Sequence, residues 1–307
     1  MKTKTLSALL LAAAAMVPGW AHANDEMREG LSTLWEVLWH QSGTPTRVVR
    51  WENEIHLRLS GQDAAVHRET VLQAMSAVTQ EAGVRLVDVT DRPELPANLK
   101  VEITADTALD DNQPCVTMLE FRSETRIDAA TVQMRSRDVA RCAHHEAMHV
   151  MGVRGHPEGK TVLSYFPSRT DTLLPLDKVM LRAWYSPRMR GGMTPFEALP
   201  VLADELVASE PDKFAASQVR DNFFSTVIEQ MRAYASGNGD IPAIVRRSGK
   251  STDSGIRAGR NEMSYFLGVA YLEGVTVPAD RSQAIQWLER AAVAGNPRAQ
   301  ARLGSFR

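Results

Sequence analysis

Two histidines and one glutamate within five residues are the clearest chemical signal in this chain. His145, Glu146 and His149 form an H-E-x-x-H pattern in a segment, residues 137–151, whose apolar spacing predicts a helix. Four residues correspond to about 400° of helix rotation, so both imidazoles project from one face and can bind the same tetrahedral ion. Glu146 lies beside them, where it can accept a proton from a metal-bound water. The pattern therefore predicts a zinc ion that generates hydroxide at neutral pH.

A third ligand is expected after this helix. Gly152 lies three residues beyond His149, where it can end the helix and turn the chain back, and His156 is the only histidine that follows. Glu158, two residues further along, remains open as the alternative third ligand. A structural zinc site usually has four protein ligands, whereas a catalytic site has three ligands and a water. The three visible ligands therefore favour catalysis.

The stretch over residues 137–187 resembles the metzincin metallopeptidases. Its HExxHxxGxxGH pattern is similar to the HExxHxxGxxH of that family, with one extra residue and with Gly155 at the usual third-ligand position. The TVLSY sequence of residues 161–165 is similar to the Met-turn of the family, with Leu163 in place of the methionine. The resemblance implies a zincin-like α+β domain with Tyr165 as an auxiliary group near the oxyanion. It also implies a peptide substrate extended along an edge strand of the sheet.

The same stretch is also similar to an uncharacterised family of secreted bacterial domains. The shared features are Arg141-Cys142 and the segments 175–178 and 185–189. Many members of that family lack the histidines, so their scaffold exists without a metal. This chain carries all three histidines.

The elements before the motif predict a small α+β sheet domain. Alternating apolar residues predict strands at residues 53–59 and at Leu99–Thr104, and helical spacing predicts a helix over residues 63–82 that Gly83 ends. Further strands are expected at residues 84–89, 116–121 and 127–134. This order places the histidines on the last helix of the domain. Three other histidines appear isolated and are interpreted as structural or solvent-facing: His40, His56 and His67.

The C-terminal residues predict an all-α helical repeat. Gly268 and Gly304 are 36 residues apart, as are Leu267 and Leu303, and this period is typical of helix-turn-helix repeats. The segment over residues 260–307 resembles the Sel-1-like repeat, a relative of the tetratricopeptide repeat. One repeat cannot bury its own apolar face. Two interpretations stay open: a segment packed against the preceding domain, or a surface that binds a protein partner.

The N-terminus predicts export. A basic start, an apolar run over residues 6–17 and an A-x-A sequence ending at Ala23 are typical of a signal peptide. Cleavage after Ala23 would produce a periplasmic or secreted protein without a transmembrane segment; the alternative is a short N-terminal anchor helix. In an oxidising compartment, the only two cysteines, Cys115 and Cys142, are expected to form a disulfide rather than remain buried thiols.

The predicted organisation has four parts: a signal peptide (1–23), a zincin-like domain (24–192), a helical segment and linker (193–259), and the repeat (260–307). With 35 basic and 37 acidic residues, the chain has no global positive field to bind nucleic acid. The sequence predicts an exported zinc metallopeptidase that hydrolyses peptide bonds of a protein or peptide substrate. The alternative is a non-catalytic envelope interaction protein that uses the repeat, with zinc structural or absent.

Overall fold

The structure, a computed structural model, describes residues 18–40, 42–164, 172–247 and 252–306. Residues 1–17 of the predicted signal peptide lie outside the described residues, and the predicted cleavage point after Ala23 falls within the first helix, α1 (Pro18–Glu36). None of the helices that the structure describes combines the length and the hydropathy needed to span a bilayer.

The strands of the N-terminal half form one small hairpin and one larger sheet. The strands are β1 (Trp39–His40), β2 (Thr44–Pro45), β3 (Arg50–Trp51), β4 (Ile55–Gly61), β5 (Leu86–Asp88), β6 (Leu99–Thr104), β7 (Cys115–Ser123) and β8 (Arg126–Arg135). β1 and β2 pair as the hairpin. In the sheet, β5, β4, β6 and β8 are parallel neighbours in that order, and β3 pairs in parallel with the first residues of β8. β7 runs antiparallel to β8, so the sheet is mixed.

Helices surround this sheet and make up the rest of the chain. They are α2 (Ala64–Ala82), α3 (Val139–Val150), α4 (Pro175–Trp184), α5 (Pro195–Ser209), α6 (Lys213–Ser236), α7 (Ala243–Arg247), α8 (Asp253–Glu273), α9 (Arg281–Val293) and α10 (Pro297–Gly304). α2 connects the parallel strands β4 and β5 and buries its apolar face. Gly83 ends α2 in the left-handed conformation, with φ of 66°, as its position in the sequence predicts.

The helix that carries the histidines, α3, lies between α2 and the strands β7 and β8. A disulfide joins Cys115, at the start of β7, to Cys142 in α3, with the sulfur atoms 2.09 Å apart. The predicted disulfide is therefore confirmed. It ties α3 directly to β7, the antiparallel strand of the sheet.

The segment predicted as a linker contains more helix than expected. α7 lies within it, and α8 begins at Asp253, before the predicted repeat boundary at residue 260. The Thr252 hydroxyl accepts a hydrogen bond from the Gly255 N–H, so a side-chain cap starts α8 despite the poor helical composition there. The helical stretch that follows residue 194 is likewise two helices, α5 and α6, which are separated at residues 210–212.

The C-terminal helices pack against the sheet domain. α8 contacts α5, α6 and β2, and the Arg47 guanidinium donates a hydrogen bond to the Tyr265 hydroxyl at 2.7 Å. Gly268 lets α9 approach closely, since a Cβ at this position would lie 2.7 Å from Cγ of Leu288. Packing against the preceding domain, one of the two interpretations of the repeat, is therefore observed.

Candidate metal centre

Three imidazoles converge between α3 and the loop that follows it. The Nε2 atoms of His145 and His149 are 3.1 Å apart, and the Nε2 atom of His156 lies 3.2 Å from the first and 3.1 Å from the second. All three side chains are buried or half-buried. The sequence-predicted ligands therefore lie together in one cluster.

The loop after α3 is shaped by glycines and by two capping side chains. Gly152 has φ of 90°, and a Cβ there would lie 2.3 Å from the Val49 carbonyl oxygen, so only glycine fits. The last carbonyls of the helix accept hydrogen bonds from Nε1 of Trp51 at 2.8 Å and from the hydroxyl of Tyr185 at 3.0 Å. These contacts end the helix just after His149 and return the chain toward it.

Backbone carbonyls fix the tautomers of the two helical histidines. Nδ1 of His145 lies 2.8 Å from the Val162 carbonyl, and Nδ1 of His149 lies 2.6 Å from the Val153 carbonyl. A carbonyl can only accept, so each Nδ1 carries the proton and each Nε2 presents its lone pair. These lone pairs point into the same small space, which is unfavourable unless a cation occupies it.

The dimensions of the cluster fit a zinc ion. Zn–N bonds of about 2.0–2.1 Å in a tetrahedron require ligand nitrogens about 3.3 Å apart. The observed Nε2 separations of 3.1–3.2 Å are close to this value. In zinc sites, a neutral histidine usually binds the metal through one ring nitrogen and donates the N–H of the other to a group such as a backbone carbonyl. His145 and His149 have this arrangement. The three nitrogens would supply three of the four ligands of such an ion.

Glu146 is a buried residue that directly follows His145 in α3. Its Oε2 accepts a hydrogen bond from the Thr117 hydroxyl of β7 at 2.6 Å, and the residue is only 2% exposed. Burial raises the pKa of Glu146 to about 7, although the hydrogen bond from Thr117 opposes the shift. A carboxylate with a pKa near neutrality suits a general base. Thr117 was not identified from the sequence, although the predicted disulfide at Cys115, two residues earlier in β7, is a signal that brings this strand to α3.

A buried aspartate holds the turn that supports His145. Residues 161–164 form a tight turn closed by the Ser164 N–H on the Thr161 carbonyl, with Leu163 fully buried. The Asp177 carboxylate accepts hydrogen bonds from the Thr161 hydroxyl and from the Val162 and Leu174 N–H groups. Asp177 therefore positions the carbonyl that orients His145. The sequence marks it only as an acidic residue in the first turn of α4.

The structure separates the two candidates for the third ligand. Glu158 ion-pairs with Arg247 at 3.1 Å and has a side chain that is 60% exposed, while His156 joins the cluster.

His40, which the sequence analysis interpreted as isolated, lies near the cluster. Burial lowers the pKa of His149 and of His156, to about 3 for His156, and the nearby His40 contributes to both shifts. Tyr165, the predicted auxiliary group, lies outside the described residues.

Comparisons with known proteins identify a family and no individual relative. No curated protein and no solved structure matches this chain. A family model, described as protein of unknown function (DUF2927), matches residues 36–204, which include the three histidines and Glu146. Because the match spans more than half of the 307 residues, the chain belongs to the DUF2927 family.

Proposed function

We propose that this protein is a zinc-dependent metallopeptidase with a zincin-like catalytic domain. One observation carries the proposal: three imidazole Nε2 atoms converge within 3.2 Å, and the buried Glu146 directly follows the first of these histidines in α3. His145, His149 and His156 would hold the metal. Zinc supplies Lewis-acid activation of a water when it is bound.

The residues of the chain account for the proton transfers of peptide hydrolysis. Glu146 accepts a proton from the attacking water and then donates it to the leaving amine, which a carboxyl pKa of about 7 favours in both directions. Thr117 orients the carboxylate through its hydrogen bond. By resemblance to the metzincins, Tyr165 would assist near the oxyanion.

The edge of the sheet suits an extended peptide. β7 pairs with β8 and with no other strand in the part of the chain that the structure describes, and it carries the Thr117 contact to the site. A peptide can add to such an edge through main-chain hydrogen bonds. The disulfide and the predicted signal peptide favour action in the periplasm or outside the cell.

Metal analysis combined with proteolysis of an unbiased peptide library tests this proposal. We expect about one zinc per chain in wild type. In Glu146→Gln, zinc should remain while hydrolysis falls by about 10²–10⁴-fold, because only the proton transfer is removed. Glu229→Gln, at an exposed position of α6, is the matched control and should keep full activity.

Two results would contradict the proposal. Zinc-supplemented protein that binds no zinc would exclude the metal site. Zinc-loaded protein that cleaves no member of the library would favour the alternative, a non-catalytic interaction protein with a structural metal.

A further inference from the structure

Arg154 lies in the loop between the second and the third histidine and has unusual surroundings. The ion pairs within the described ranges do not include Arg154. Its closest polar contact is a 3.5 Å hydrogen bond from Nη2 to the Arg47 carbonyl. Arg154 is half-buried and, as an arginine, keeps its charge, and it has no counter-ion among the described residues.

Arg135 shows how this protein stabilises a buried guanidinium elsewhere. The Arg135 side chain is 4% exposed, and the carboxylates of Asp111 and Asp138 lie 2.6 Å and 2.8 Å from it. Burying an unpaired charge is costly, and structural arginines are normally paired in this way. Arg154 has no such carboxylate partner among the described residues, so its guanidinium can accept an anion from a ligand.

Arg154 contacts β7, the strand along which the peptide substrate is proposed to bind. Its guanidinium carbon lies 5.9 Å from the ring centroid of Phe121, which is 42% exposed on β7. Phe121 follows an irregularity in the pairing of β7 with β8, at the Glu120/Phe121 step. An extended peptide along β7 would therefore pass the Phe121 ring and the Arg154 guanidinium, which belongs to the loop between His149 and His156.

We propose that Arg154 binds a carboxylate group of the substrate, so that the site selects peptides with an acidic residue or a free C-terminus near the cleaved bond. This inference rests on the proposed peptidase function. The planar guanidinium can donate two parallel hydrogen bonds to a carboxylate. Phe121 provides the apolar wall for the adjoining methylene groups or backbone.

Peptide retention on the zinc-loaded Glu146→Gln protein tests the proposal without turnover. Three acetylated decapeptide pools are compared: one with a single Glu and an amidated C-terminus, one with Gln in its place, and one with that Gln and a free C-terminus. We expect the Glu pool or the free-acid pool to be retained at least about tenfold better than the neutral pool, as for a charge-assisted hydrogen bond. The pool that is preferred identifies the source of the carboxylate.

Substitutions of Arg154 in the same background assign the preference to this residue. Arg154→Gln should abolish it, and Arg154→Lys should keep part of it. Arg92→Gln is the matched control: Arg92 donates to the Asp88 carbonyl near β5, on the opposite side of the sheet, and should leave the preference unchanged. Zinc content is measured in each variant, because Arg154 is two residues from His156.

The outcomes separate this inference from the proposed function. Equal retention of all three pools, with peptides cleaved by wild type, overturns the role of Arg154 and leaves the peptidase proposal in place. A preference that persists in Arg154→Gln also overturns it. Absence of both retention and cleavage overturns the two proposals together. If Arg154→Gln loses zinc, the preference for carboxylate-bearing peptides is compared between Glu146→Gln alone and Glu146→Gln with Arg154→Lys. A preference that Arg154→Lys leaves undiminished overturns the role of Arg154.

Discussion

Replacing His156 and Glu158 by alanine, one at a time, should show which of these two residues is the third zinc ligand. The Nε2 atom of His156 lies within 3.2 Å of both other ligand nitrogens, whereas the Glu158 carboxylate pairs with Arg247. His156→Ala removes one of three ligands and should weaken zinc binding by about 10²-fold, as for a loss of about 3 kcal/mol. Glu158→Ala removes only a largely exposed ion pair and should leave zinc affinity unchanged.

The expected effect on stability follows from linkage between binding and folding. At free zinc of about 1,000 times the wild-type dissociation constant, zinc stabilises the folded state by about 4 kcal/mol. A hundredfold weaker site would retain only about 1.4 kcal/mol at the same zinc concentration. For a chain of 307 residues, zinc should therefore raise Tm by about 6 °C in wild type and by about 2 °C in His156→Ala.

Calorimetric scans with buffered zinc and with chelator measure these shifts. Glu158→Ala should show the full wild-type shift. If Glu158→Ala loses the zinc-dependent shift while His156→Ala retains it, the third ligand is a carboxylate and the reasoning from the Nε2 distances is refuted. Equal shifts in all three proteins would mean that zinc binds elsewhere.

Three further predictions concern the support of the site. Burial raises the pKa of Asp177, so the folded protein binds this proton more tightly than the unfolded chain, and stability should fall as pH rises above 3.8. Urea unfolding of Asp177→Asn should lack that decline; an unchanged pH profile would contradict the assignment. Gly155→Ala places a Cβ 2.5 Å from Cα of Val37, so it should lower the free energy of unfolding by about 1–3 kcal/mol and weaken zinc binding in a titration. Gly304→Ala is the control: its Cβ meets open space, and neither quantity should change. Replacing Cys115 and Cys142 by serine should lower the free energy of unfolding by about 3–4 kcal/mol, and an effect near zero would exclude a stabilising disulfide.

Local sequence determined several elements of the fold and the two helical histidines of the candidate metal centre. The alternation in β4, the helical spacing of α2 and the glycine stop at Gly83 all appear in the structure as predicted. The same holds for His145 and His149, because a spacing of four residues brings two side chains onto one helical face in any protein. Gly152 was likewise identified as the end of α3, since glycine adopts the positive φ required there.

Tertiary structure decided the residues whose roles depend on distant partners. Thr117 reaches Glu146 because the disulfide and the sheet bring β7 alongside α3. Asp177 reaches Val162 across the 165–171 segment, and no periodic pattern announces such a contact. Capping residues such as Thr252 also outweighed a composition that had suggested a linker.

The choice of the third ligand illustrates the difference most directly. His156 and Glu158 are two residues apart, and both residue types bind zinc, so the sequence by itself left the alternatives open. The close approach of Gly155 to Val37 and the pairing of Glu158 with Arg247, far along the chain, direct the imidazole inward and the carboxylate outward. Sequence periodicity sets the direction of side chains within an element, but the direction of a loop side chain depends on what the loop packs against.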